Sequence, residues 1–299
     1  MPVEYPLAVL HPGDLNNDRG NVLTNSTWRF LAQGDSWFSI GQLPPWATSN
    51  LLFSMRLQSS AAAVSLAYPG KTFASMVDWQ SEIKFATYLA GGTLAYQWDA
   101  ILLSAGGNDL FDAILTPADT TDPSKAALRL LQDPDKVPVG TSMSKYIRPA
   151  AWSAFLAMIT QCFEALIAKR DDPNSQSKGV PIFVHTYDCP QPRMSPAGPG
   201  IGPWLSRAFT SYSIPPNDWL PLTTYIIEQW AQYLSSLNGQ LSAQGIANPN
   251  IRVVNLVGTL NPAPANSTGP SGDWENEIHP SMQGCAKLGI AYEKQVTLP

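Results

Sequence analysis

The chain has 299 residues, enough for one large α/β domain or two small ones. Hydrophobic residues make up 44% and charged residues only 14%, which excludes a disordered polyelectrolyte and provides for a sizeable core. A net charge of −5 with no basic block leaves no electrostatic footprint for nucleic acid or an anionic membrane surface.

Cys162, Cys189 and Cys285 are odd in number and widely spaced, with no CxxC or Cys/His cluster, so we expect free thiols and neither a disulfide framework nor a metal site. The N-terminus lacks a basic region followed by an apolar one, and by eye no apolar run approaches ~20 residues. The expectation is a chain without membrane insertion that stays in the cytoplasm.

Residues 1 to 26 are rich in Pro, Asn and Gly and read as an irregular arm. Thr27 to Gln33 is the first strand, and it breaks at Gly34-Asp35-Ser36. Trp37, Phe38 and Trp46 then either line a pocket or pack against the strand. Residues 50 to 57 suggest a helix. Ala61 to Tyr68 is a second strand ending at Pro69-Gly70, where glycine suits either a turn or a backbone N–H close to substrate. A third strand, Trp98 to Ser104, ends in Gly106-Gly107-Asn108-Asp109.

Tyr146 to Arg170 carries the longest apolar helical stripe, with Phe155, Ile159, Phe163 and Leu166 on one face. Gly179 to His185 is a fourth strand. Residues 187 to 221 have many prolines and no clear period, so they read as a lid loop carrying Trp204. Leu222 to Leu237 resumes a helix, Ile251 to Leu256 is a fifth strand, and a terminal helix follows His279-Pro280. Strands alternating with helices predict a single α/β domain: about five parallel strands with helices on both faces.

Ser36, Gly70, Asn108 and His279 all fall in loops that right-handed crossovers bring to one edge of such a sheet. A serine hydroxyl needs a base to become a nucleophile, and histidine titrates in the right range. Backbone N–H groups at Ser36 and Gly70 with the Asn108 amide would serve a developing oxyanion. His185 competes for the base role or lines the substrate pocket with Trp37 and Trp204, since it too ends a strand.

In this order, Gly34-Asp35-Ser36, Gly70, Gly107-Asn108-Asp109 and His279-Pro280 resemble the four blocks of the GDSL-type hydrolases, the SGNH superfamily, across residues 28 to 280. The resemblance implies a flavodoxin-like three-layer αβα sandwich and an esterase or lipase acting on carboxylic esters (lipid, aryl or short-acyl). It assigns Ser36 as nucleophile, His279 as base and Ser36, Gly70 and Asn108 as oxyanion donors, with no cofactor or metal. The partner it implies is a small-molecule ester. An acyltransferase, or an inactive relative that only binds a ligand, are the alternatives. One departure stands out: the family usually has aspartate three residues before the histidine, and this chain has Asn276. We expect the Asn276 oxygen to accept from the His279 Nδ1–H, with Asp273, or else Glu277 or a backbone carbonyl, as the alternative partner.

Overall fold

The computed structural model describes residues 4–16, 20–40, 49–92 and 95–297. The strands are β1 (Tyr5–Pro6), β2 (Ala8–Leu10), β3 (Trp28–Gly34), β4 (Arg56–Leu57), β5 (Ala61–Ser65), β6 (Ala100–Ser104), β7 (Ile182–His185) and β8 (Ile251–Val254). Six of them form one parallel sheet in the order β2-β5-β3-β6-β7-β8. β5, β6 and β7 are buried at every residue, and β3 at all but its first two. Strands so covered are read from sequence as continuous apolar runs, because both faces of a parallel sheet are packed.

Helices fill the crossovers: α1 (Gly20–Asn25), α2 (Ser36–Ser39), α3 (Leu51–Ser54), α4 (Phe73–Met76), α5 (Ile83–Ala90), α6 (Gly107–Leu115), α7 (Pro123–Leu128), α8 (Pro149–Arg170), α9 (Leu205–Ser211), α10 (Pro216–Ala243) and α11 (Met282–Glu293). From β3 the chain moves outward to β5, then returns past β3 to β6 and continues to β7 and β8. Apart from the added edge strand β2, this is the doubly wound 2-1-3-4-5 order of flavodoxin-like sheets. Its direction reverses between β3 and β6, and the crevice beyond their C-terminal ends is where such folds place ligands.

Four expectations change. The sheet has six strands instead of five, because Ala8–Leu10 pairs with β5 while Tyr5–Pro6 pairs with β4. The arm is therefore partly structured. Residues 187 to 221 are not structureless: α9 lies within them and α10 begins at Pro216, with Pro221 tolerated one turn inside the helix. By length and composition α8 does qualify as a membrane span. In this fold Phe163 of α8 meets Phe73 of α4, and Phe155 meets Trp230 of α10. Trp46 lies outside the described residues. All three cysteines are free.

Candidate active site

The first functional segment follows from close strand packing. Gly34 pairs with Ser104 across β3 and β6, and a Cβ at Gly34 would sit 2.7 Å from the Ser104 Cβ. Only glycine lets the two strand ends approach this far. Asp35 follows as the N-cap of α2, its carboxylate accepting from the Trp37 N–H at 3.0 Å. Ser36 thus becomes the first residue of a helix at the sheet's C-terminal edge. Its own N–H is a first-turn donor with no intrahelical partner.

A buried polar network lies behind that turn. Asp35 accepts from the Ser104 hydroxyl at 2.7 Å and from the Tyr187 hydroxyl at 2.6 Å. The Gly107 N–H donates in turn to the Tyr187 oxygen at 3.3 Å. A side chain at Gly107 would collide with the Tyr187 ring, 2.7 Å from its Cζ, so glycine is required there too. One phenol thus ties the Ser36 turn to the start of α6. Burial pushes Asp35 up to about 6 against the pull of these hydrogen bonds.

His185 belongs to this network and to neither role considered for it. It is fully buried, its Nδ1 accepts from the Tyr187 N–H at 3.1 Å, and its Nε2 therefore carries the proton given to Ser104 at 2.8 Å. Burial lowers it to about 3, so it stays neutral. Trp37 stacks on it with ring centroids 5.6 Å apart and is itself buried. Trp37 thus packs against the core while also lining the slot beside Ser36.

The second functional segment comes from the far end of the chain. The His279 Nε2 lies 2.9 Å from the Ser36 Oγ, bridging 243 positions of sequence. Trp204 packs edge-on against the imidazole, with centroids 5.8 Å apart. Desolvation lowers the half-buried His279 to about 4, so the ring is neutral at pH 7.

Of the oxyanion candidates, Asn108 lines one slot with Ser36, whereas the exposed Gly70 is tied to the site only through the next residue. Asn108, on the first turn of α6, donates from its amide to the Lys71 carbonyl at 2.9 Å, which draws the Gly70 loop against it. Gly70 has φ +81°, a conformation that strains any other residue. Lys71 pairs in turn with Glu82 at 2.5 Å, and Glu82 accepts from the buried Gln33 of β3. Asp109 holds the same loop from the other side, accepting from the Phe73 and Ala74 N–H groups at the start of α4.

Asn276 does not orient His279 as expected. Its Oδ1 accepts from the N–H groups of Ile278 and His279, both at 3.0 Å. The side-chain nitrogen is left facing the His279 Nδ1 at 3.1 Å. Flipping the amide would set its NH2 against two backbone donors, so this orientation is the satisfied one. Asp273 does not substitute: its carboxylate takes the Asn261 N–H and the Lys287 ammonium, each at 2.6 Å.

Nor does Glu277 orient the histidine, because its carboxylate is taken up by a knot that supports this loop. Glu277 is fully buried and accepts from the N–H groups of Trp204, Leu205 and Ser206, closing the N-terminus of α9, and from Arg193 N–H. Burial raises its carboxyl. The buried Arg193 guanidinium binds the carbonyls of Asn276 and Gly269. Among the described residues, no group of three or more His, Cys, Asp or Glu side chains is placed to hold a metal ion.

No protein-family model matches the chain, and no curated protein sequence does. Among solved structures it is similar to a lipase from a goat rumen metagenome at 13% identity, covering 90% of this chain and 97% of that one with a TM-score of 0.44. A catalytic mutant of an acetylxylan esterase from Geobacillus stearothermophilus matches at 12% identity, covering 92% and 96% with a TM-score of 0.42. An extracellular lipase from Streptomyces rimosus matches at 14% identity, covering 90% and 100% with a TM-score of 0.41.

Proposed function

We propose that this chain is a serine ester hydrolase. The observation that carries the reading is the 2.9 Å contact between the Ser36 hydroxyl and the His279 imidazole at the reversal point of the sheet. In the reaction, Ser36 Oγ attacks the ester carbonyl while the His279 Nε2 takes its proton. The oxyanion receives hydrogen bonds from the Ser36 N–H, the Gly70 loop and the Asn108 amide. His279 then gives the proton to the departing alcohol, and water, activated by the same nitrogen, releases the acid.

The space beside Ser36 favours a small acyl group. A slot of about 30 Å³ opens between Ser36 and Asn108, walled by Leu110, Phe111, Ile227 and Ile278. It has room for a methyl-sized group beside Ser36, which among lipid, aryl and short-acyl esters favours acetyl-type ones. A panel of p-nitrophenyl esters tests this. We expect octanoyl to gain nothing over acetyl in kcat/KM, since each unaccommodated methylene forfeits burial worth ~0.8 kcal/mol, and Ser36→Ala to abolish turnover of every ester. A preference for octanoyl would refute the slot, and turnover surviving in Ser36→Ala would refute the hydrolase reading.

A further inference from the structure

Nδ1 of His279 faces an amide NH2, which can only donate, so Nδ1 must present its lone pair. The ring proton then sits on Nε2 and is given to the Ser36 Oγ. This polarity is the reverse of what nucleophile activation requires, because Nε2 has to accept the serine proton. We propose that Asn276 is a built-in brake: it holds His279 in the resting tautomer, and replacing this one amide by a carboxylate releases a much faster hydrolase. The proposal rests on the reading of Ser36 and His279 as nucleophile and base.

The surroundings favour such a release. An aspartate at 276 would keep accepting from the Ile278 and His279 N–H groups, as the asparagine oxygen does. Its second oxygen would face Nδ1 and accept the proton there, leaving the Nε2 lone pair toward Ser36. The Arg193 guanidinium, bonded to the Asn276 carbonyl at 3.0 Å, supplies a positive charge nearby. When Ser36 attacks, the serine proton moves to Nε2, the Oγ–carbon bond forms and the carbonyl pair moves to oxygen. The resulting imidazolium is stabilised by the carboxylate, whereas an amide NH2 opposes it. The wild-type chain reaches the same step only through its minor tautomer. Asn276 acts through His279 and is a positioning residue.

The test combines turnover with a spectroscopic readout on the unaltered protein. With p-nitrophenyl acetate, Asn276→Asp is expected to raise kcat by on the order of 10²- to 10⁴-fold, the upper end being the loss when a triad aspartate becomes asparagine. In 15N-histidine-labelled wild type, the His279 resonances, assigned by their loss in His279→Ala, are expected to show Nε2 protonated and Nδ1 bare. In Asn276→Asp the proton is expected on Nδ1. A wild-type His279 protonated on Nδ1 overturns the proposal whether or not the variant folds. So does a folded Asn276→Asp with unchanged turnover, provided Ser36→Ala is dead. If Ser36→Ala instead retains the activity, the hydrolase reading itself has failed.

Discussion

His279 carries two constraints that act separately. Its neighbours choose which nitrogen is protonated, and its desolvation sets the pH at which the second proton arrives. Because desolvation lowers the imidazole to about 4, the base stays neutral well below the pH at which an ordinary histidine would be half charged. Loss of activity on acidification should therefore follow the lowered value: kcat/KM for an acetyl ester is expected to hold from pH 8 to about 5 and to halve near 4. A half-loss near 6.5 in the pH–rate profile would mean that the ring is not desolvated in this way. At this scale the Gly-Asp-Ser and His-Pro segments were legible because each pairs a special backbone with a special side chain. The polarity of Asn276 was not, since it depends on which donors reach its oxygen, and both are backbone groups that carry no residue signature.

At the level of elements, the C-terminal loop is held by charges buried on behalf of backbone donors. Glu277 caps α9 through three N–H groups and Arg193 ties down the Asn276 carbonyl, so the loop bearing His279 is fixed by helix-end chemistry. Glu277→Gln replaces one acceptor oxygen by an NH2 facing those donors. It is expected to lower stability by about 2 kcal/mol, read as a shift in urea midpoint at constant slope; an unchanged midpoint would refute the capping role. The sequence led instead to a lid over residues 187 to 221, because prolines interrupt any period there. The segment is pinned by partners remote in sequence, and such partners leave no local pattern. Helix α8 was legible for the opposite reason, since its apolar stripe is local. Strand β2, three residues long, is too short to show alternation and becomes a strand only because β5 offers it an edge.

Across the whole molecule, a doubly wound sheet does what no single segment can. It brings a serine at the end of β3, an asparagine just after β6 and a histidine before α11 to one crevice. Parallel order and right-handed crossovers made that convergence readable from alternating elements alone. The buried link from His185 through Ser104 to Asp35 and Tyr187 was not readable, as its members come from three strand ends whose spacing in sequence is arbitrary.

Fluorophosphonate labelling of the intact chain, with the modified peptide identified by mass spectrometry, tests that convergence most directly. Label is predicted on Ser36, faster in Asn276→Asp, and absent from Ser36→Ala and His279→Ala. A folded Asn276→Asp protein that takes no label, or equal labelling of Ser36→Ala, would contradict it.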